Sequence, residues 1–455
     1  RSTPIKSSAA SDVYKRQTLY SLLLLLASCS DEDTTGYTVP EQIPATLTIQ
    51  PDIEYQKVQG FGVMETSWQQ TALTEEEMNT LFGTGADQLG CNILRIRIAP
   101  KDKNQTADSR WGTVARVAKV AKDLGTTILA TPWTPPVSLK TIDNIVDGEL
   151  ADYAGYAEYL KEFLTYMKQQ GAAVDVVSIQ NEPDFEVTYE SCRWTGLQQA
   201  KFFKQYGASI KAAHPDVKLM TGESFQYRHE STDPILEDEQ ACAVIDVVGG
   251  HIYGGGNTPY DLAKAKGKEY WMTEHLLNEA WEKKAPYLLI GDVRAETLQL
   301  AAEINTAMAS GFNAYIYWYG RRYYGMLGDG LANSTMSAIT PRGYMYAQFA
   351  KNLTGKTRVK VVASKNVSAS VDCTAYKDSQ GNLTLMFVNR TSSDIKGLNL
   401  ALPFIPAEVK MTVSTVPTES FPETNKGMLV ESAISSLENG LDIKAYSIVT
   451  VNIKR

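Results

Sequence analysis

Eight short apolar segments alternate with amphipathic stretches between residues 59 and 318: 59–64, 93–98, 127–132, 176–181, 217–222, 246–253, 269–274 and 313–318. The stretches between them carry one-sided apolar spacing. Val114, Val117, Ala118 and Ala121 share a face, as do Tyr156, Tyr159, Leu160, Phe163 and Met167, and Leu298, Ala301, Ala302, Ile304 and Met308. Strand alternating with helix builds parallel βαβ units, and eight in succession predict an α/β fold closed as a (β/α)8 TIM barrel. The alternative is an open doubly wound sheet. No glycine-rich phosphate loop follows any segment, and Gly254-Gly255-Gly256 is a bare run, so the barrel is preferred.

Past residue 353 the rhythm changes. Segments 359–362, 367–371, 383–388, 409–413 and 443–453 are β-rich and largely alternate in polarity, and residues 378–382 read as a turn between two of them. They predict a side β-sandwich over 354–455. Residues 46–58 also read as strands and are expected to join it, leaving 59–353 as the barrel. Two domains are the natural division for 455 residues. The sandwich is expected to act as a buttress.

The amino-terminal part reads differently. Residues 1–17 lack apolar periodicity and are set aside as a leader or an assembly scar. An apolar run at 19–27 is too short to span a bilayer but fits a secretion signal. Leu26-Ala27-Ser28-Cys29 resembles the bacterial lipobox, which implies lipidation at Cys29. Ser30-Asp31-Glu32-Asp33 resembles the acidic surface-export signal of Bacteroidetes-type lipoproteins. Residues 1–29 are thus expected to be leader and lipoprotein signal and 30–45 an acidic tether. The expected location is the outer membrane or cell surface of a Gram-negative bacterium, with membrane contact only through the lipid.

Net charge is −8 with no basic cluster, so nucleic acid is not an expected partner. There is no HExxH, and none of the five cysteines stands in CxxC, which argues against a zinc site. No cofactor or metal is expected. Cys91, Cys192, Cys242 and Cys373 suggest no pairing and are expected as free thiols. Twenty-four Tyr and seven Trp suit a cleft for flat, hydroxylated ligands such as sugars, or a ring-rich core.

A barrel keeps its active site at the carboxyl ends of its strands. Glu65, Arg97, Trp133, Asn181, Glu182, Glu223, His251, Tyr253, Glu274, Trp318 and Tyr319 stand there. Glu182 closes the fourth segment, where Pro183 forbids continuation, and Glu274 closes the seventh. Their positions face each other across the mouth. Two such carboxylates can cleave a glycosidic bond, one as general acid and the other as nucleophile or water-activating base, provided their environments differ. A glutamate at a strand end can equally cap a helix or pair with a cation. Asn181 could donate to a sugar hydroxyl, Trp133 could line the sugar site, and Tyr253 could bond near Glu274. Glu223, His251 and His275 are expected to position other groups.

From about residue 58 to 455 the chain resembles glycoside hydrolase family 30, closest to its glucuronoxylan endo-β-1,4-xylanase branch. The matching pieces are GFGVMETSW from residue 60, QLGCNILRIRI from 88, ATPWTPP from 130, SIQNEPD from 178, ESFQYRHESTDPIL from 223, HIYG from 251, YWMTEH from 270, NAYIYWYGRRYYG from 313 and PRGYMYAQFAK from 341. The resemblance implies a barrel with a side β-domain, and retaining catalysis with Glu182 as acid/base and Glu274 as nucleophile. It also implies a clamp for a 4-O-methylglucuronate branch at Trp318, Arg322 and Tyr324. A guanidinium fork suits a carboxylate, though Arg321-Arg322 could be a surface ion-paired couple. The branch places a Tyr and a Ser two and six residues after its nucleophile, where this chain has Leu276 and Ala280. Asn278 or Lys283 could substitute for them. The expected function is a monomeric retaining endo-β-1,4-xylanase whose partner is the polysaccharide glucuronoxylan. The alternatives are another family 30 β-glycosidase, of glucosylceramidase or β-1,6-glucanase type, and a non-catalytic surface glycan-binding lipoprotein.

Overall fold

Strand β1 (Thr46–Lys57) precedes eight barrel strands: β2 (Gly60–Met64), β3 (Ile93–Ile98), β4 (Thr127–Pro132), β5 (Val176–Ser178), β6 (Lys218–Met220), β7 (Val247–His251), β8 (Glu269–Glu274) and β9 (Ala314–Tyr317). The computed structural model describes residues 45–68, 70–101, 106, 109–277, 293–332, 334–367, 371–418, 425 and 428–455. The expected leader, Cys29 and the tether as far as residue 44, and also Asn278, Ala280 and Lys283, lie outside the described residues. Each barrel strand runs parallel to its neighbours, and β2 pairs with β9, so the sheet closes into a TIM barrel.

Period-two alternation divides each strand between two cores. Ile93, Leu129, Val176, Met220, Val247, Trp271, Ala314 and Ile316 pack together inside the barrel. Leu94, Ile96, Ile128 and Val177 face outward into the larger core shared with the helices. Strand β2 brings no side chain to the interior at Gly62. A Cβ there would stand 2.5 Å from the Ile93 carbonyl oxygen and 2.7 Å from its Cβ, so only glycine admits this approach. The faces expected on the helices are the buried ones in Arg110–Asp123, Tyr153–Gln169 and Val293–Ser310.

Two strands stop sooner than their apolar runs. Strand β5 ends at Ser178, because the chain turns inward there. Gln180 Nε2 donates to the Trp133 carbonyl at 2.6 Å, and Asn181 keeps its amide bond to the Pro132 carbonyl and an isolated bridge to Glu223. Strand β6 ends at Met220; the Thr221 amide still donates to the Val247 carbonyl, and Thr221 Oγ1 accepts from the Gly249 amide.

The remaining strands are β10 (Thr357–Ala363), β11 (Asp372–Lys377), β12 (Leu383–Asn389), β13 (Ile395–Ala401), β14 (Glu408–Thr415), β15 (Val430–Ala433), β16 (Leu441–Ile443) and β17 (Ser447–Lys454). With β1 they form one nine-stranded sheet in the order β15-β14-β17-β12-β11-β10-β1-β13-β16. Strand β1 lies inside it, antiparallel to β10 and parallel to β13. Val409 of β14 and Leu398 of β13, from opposite wings, share one core with Leu47, Leu385 and Val451, so the sheet curls over itself. Its other face packs on the barrel's helices through Tyr376, Met386, Val388 and Ile448. Strand β12 is therefore buried on both faces along its whole length. Gln348, on the helix Pro341–Leu353, donates to the carbonyls of Thr412 and Ile448 across this seam.

Candidate active site

Above the apolar layer inside the barrel, alternation places polar groups on the same interior face. Two residues beyond Ile93 stands Arg95, fully buried. Its Nη1 donates to Glu274 Oε2 at 2.5 Å, its Nη2 to Asn181 Oδ1 at 2.7 Å, and the same Nη2 lies 3.1 Å from Glu223 Oε2. The guanidinium carbon stands 4.7 Å from the Trp133 ring centroid. One side chain from β3 thus ties together groups from β5, β6 and β8.

Glu274 reaches the mouth through a register slip. Gly250 of β7 pairs with Met272 but His251 pairs with Glu274, so β8 carries one extra residue at Thr273. Trp271 faces the interior, and strict alternation would send Glu274 out toward the helices. The slip lets both Thr273 and Glu274 face the site. Glu274 Oε1 accepts from the Tyr253 hydroxyl at 3.0 Å.

Glu182 is held by its backbone as well as its side chain. Its φ is +43°, a left-handed conformation that costs a non-glycine residue about 1 kcal/mol or more and persists where surrounding structure enforces it. The Glu182 amide donates to the Glu223 carbonyl at 2.9 Å, and the Glu223 amide donates to the Gln180 carbonyl at 2.8 Å. Glu182 Oε1 accepts from His251 Nδ1 at 2.9 Å, and Oε2 from the Tyr189 hydroxyl at 3.0 Å. One oxygen of Glu182, one ring nitrogen of His251 and one oxygen of Glu274 all lie within 4.8 Å of one another, although the two glutamates come from β-strand ends three places apart in the ring.

The cluster carries two cations and three carboxylates. Burial alone would lower the His251 imidazole, but Glu274, Glu182 and Glu223 raise it to about 9, so it is charged at neutral pH. Burial would raise the Glu223 carboxyl, but Arg95 and His251 hold it at about 2. Thr131 Oγ1 donates to it at 2.7 Å, and at Gly249 a side-chain Cβ would come within 3.0 Å of Glu223 Cγ. Burial lifts the Glu274 carboxyl, opposed by His251 and Arg95. Unbalanced buried charge is costly. The five groups are neutral together when one carboxylate holds a proton. Glu223 does not hold it. Glu182, His251 and Glu274 are also close enough to ligate one cation, but Arg95 and the imidazolium already supply positive charge there.

Rings close the site on one side. Trp133, Trp318, Tyr319 and Met64 pack together, with Trp68, Leu276 and Tyr324 against them. Trp68 stands 5.2 Å from Trp133 and 6.2 Å from Trp318, centroid to centroid. The peptide between Trp318 and Tyr319 is cis. Arg322 lies toward the rim with Nη1 3.4 Å from Asp329 Oδ2, and its buried Nε has no partner among the described residues. Arg321 does the opposite of what a surface couple would do. It is buried, donating to Glu77 Oε2 at 2.5 Å and to the Thr71 carbonyl at 2.6 Å.

The reading of strand ends brought forward Glu65, Arg97, Glu223, His251 and Tyr319, and these are all buried. Glu65 serves its own turn, accepting from the Ser67 amide and hydroxyl. Arg97 pairs with Glu190. Burial beside charged His251 drives His275 down to about 3, so it is neutral. The four cysteines inside the described residues are free, as expected. Sequence reasoning missed Arg95 and Tyr189. A cavity of about 580 Å³ opens at the other end of the barrel beside Tyr55, Tyr260 and Arg358. Of its carboxylates Glu54, Asp261 and Glu269, Glu54 is tied to Lys377 and Glu269 to Lys218.

Comparison with known proteins agrees with this geometry. The profile of the glycosyl hydrolase family 30 TIM-barrel domain matches residues 103–284. The chain is 34% identical over 361 residues to glucuronoxylanase XynC of Bacillus subtilis (strain 168), covering 77% of this chain and 79% of that protein. It is 36% identical over 173 residues to an endo-1,6-beta-D-glucanase of Neurospora crassa, covering 30% of this chain and 36% of that one. Among solved structures, the glycoside hydrolase family 30 subfamily 8 xylanase of Clostridium acetobutylicum superposes with a TM-score of 0.75 at 30% identity, over 90% of this chain and 100% of that one. A closed barrel with a curled side sheet, a buried carboxylate pair at its mouth and a relative matched over most of its length identify this chain as a glycoside hydrolase belonging to glycosyl hydrolase family 30.

Proposed function

We propose that this enzyme is a retaining endo-β-1,4-xylanase that cuts glucuronoxylan, with Glu182 as acid/base and Glu274 as nucleophile. The observation that carries the reading is how closely the two carboxylates approach, one oxygen of each lying within 4.8 Å of one oxygen of the other. Retention needs roughly 5–5.5 Å between carboxyl groups, whereas inversion needs room for a water between them. The roles follow from the partners. A nucleophile needs a fixed charge, and Glu274 is bonded to Arg95, a permanent cation. An acid/base exchanges a proton twice per turnover, and Glu182 is bonded to His251, whose own proton is exchangeable.

In the first step the Glu274 carboxylate attacks the sugar carbon while Glu182 gives its proton to the departing glycosidic oxygen. In the second, Glu182 takes a proton from water, which displaces Glu274 and restores both carboxyls. Asn181, its carboxamide oxygen already engaged by Arg95, offers its NH2 group to a sugar hydroxyl. Trp133 and Trp318 supply ring faces to the sugar.

For the branch, Arg322 and Tyr324 supply donors to a glucuronate carboxylate. Leu276 packs on the ring cluster and supplies none, so branch recognition rests on Arg322 and Tyr324. Asp329 neutralises part of that charge, which favours glucuronate as a preference rather than a strict requirement. Leu276 and the Neurospora crassa likeness favour a second reading, a β-1,6-glucanase. The lipobox-like residues 26–29 support a lipid-anchored, secreted enzyme, testable by detergent partitioning of a Cys29→Ala variant.

The test is a mass-spectrometric product profile on glucuronoxylan, linear xylan, arabinose-substituted xylan and β-1,6-glucan. The expected result is cleavage of the xylans with glucuronoxylan cut fastest. Arg322→Ala should slow glucuronoxylan alone, by about 10- to 100-fold if one charge-assisted bond is lost. Cleavage of β-1,6-glucan with every xylan intact would overturn the substrate reading.

A further inference from the structure

Tyr189 and Glu190 lie in the loop that follows Glu182, and the steps above give them no part. Glu190 pairs with Arg97 of β3. The Arg97 guanidinium carbon stands 4.9 Å from the Trp68 ring centroid, and the Tyr189 ring meets the same indole edge-on at 6.0 Å and 76°. Tyr189 is 42% exposed, so its ring borders the open side of the site. Its hydroxyl turns inward to Glu182 Oε2.

The two oxygens of Glu182 therefore have different neighbours. Oε1 faces a charged donor, His251 Nδ1, and cannot easily carry a proton of its own. Oε2 faces a neutral hydroxyl. A protonated carboxyl oxygen keeps a lone pair, so Oε2 can accept from Tyr189 while giving its proton to a leaving oxygen. We infer that Oε2 carries the transferred proton, that Tyr189 is the positioning residue which orients it and favours its departure, and that the Arg97–Glu190 pair latches Tyr189 in place. This inference rests on the acid/base reading of Glu182. The titratable and charged groups facing Glu182 from packed elements are Arg95 of β3, Glu223 after β6, His251 of β7, Tyr253 after β7 and Glu274 of β8, together with Tyr189 on its own loop. Among the described residues only Tyr189 donates to Oε2.

The sign of the effect follows. A hydrogen bond to the ionised carboxylate favours that form, so removing it moves loss of the proton to higher pH. Tyr189→Phe should move the alkaline limb of kcat/KM on xylan up by about half to one pH unit and lower the optimum rate about three- to tenfold. A dinitrophenyl xylobioside, whose leaving group departs without protonation, should show no such loss. Glu190→Gln, with the ring intact, should shift the limb in the same direction by less. A thermal melt of each variant accompanies the kinetics. An unmoved limb in Tyr189→Phe, or equal losses on both substrates, would overturn the positioning role, and an unmoved Glu190→Gln profile would overturn the latch. Glu182→Gln is measured in parallel. If it keeps full activity on xylan, the acid/base reading itself fails. If it loses that activity while Tyr189→Phe behaves as wild type, only the present inference fails.

Discussion

His251 and Glu223 are each displaced far from ordinary titration by the same buried cluster, and their displacement has consequences for stability. A histidine raised from 6.5 to about 9 contributes stability that is fully present below 6.5 and lost as pH climbs through 9. A glutamate lowered from 4.5 to about 2 contributes stability present above 4.5 and lost as pH falls toward 2. Tm measured against pH should therefore hold a plateau between about pH 4.5 and 6.5 and fall on both sides. His251→Gln should flatten the alkaline side, and a wild-type Tm that stays level to pH 9 would contradict a buried imidazolium. Glu182→Gln should lower polysaccharide turnover by about 10²- to 10⁴-fold, as loss of a general acid does, with a folded protein by circular dichroism. Glu182 and Glu274 were legible in the sequence because each ends an apolar run beneath a break in pattern. Arg95 was not singled out, although its signal was present. In ILRIRI the arginines share the parity of interior-facing Ile93, and a guanidinium there must find carboxylates inside the barrel. Tyr189 carried no such mark, since loop placement does not follow from periodicity.

At the scale of elements, the site depends on segments held by buried ion pairs. Thr74 and Glu77 form a capping box at the start of the helix Glu75–Phe82, and Glu77 also accepts from Arg321 and Ser337. One carboxylate thus joins the β2 side of the mouth to the loop that presents Arg322. Arg321→Ala would strand a buried Glu77, and removal of one partner from such a pair costs about 3–5 kcal/mol. Urea denaturation should show that loss as a lower midpoint at unchanged slope. A change below about 1 kcal/mol would mean the pair is not an anchor. The sequence carried the barrel strands to within a few residues because their periodicity changes sharply at each end. The slip at Thr273 left no trace in composition, since one extra residue in a ladder needs no special side chain. The parallel pairing of β1 with β13 was likewise out of reach, because it joins residues far apart through a curl that local pattern does not record.

The whole molecule has a seam rather than a joint between barrel and sheet. Tyr376, Met386, Val388 and Ile448 belong to the same core as the barrel helices, and the sheet draws on both β1 and β17. Burial shared in this way predicts one cooperative unit, so calorimetry should give a single transition with equal calorimetric and van't Hoff enthalpies. Two separated transitions would show that the sheet is an independent domain. On the polysaccharide, the same molecule must leave a new reducing end whose configuration records how Glu182 and Glu274 divide the work. Proton NMR of a glucuronoxylan digest, followed from the first minutes, reads that configuration before mutarotation erases it. The spacing of the carboxylates predicts that the β-anomer forms first and the α-anomer grows only as equilibrium is approached. The α-anomer forming first would mean that water attacks directly, and Glu274 would then be a base and not a nucleophile.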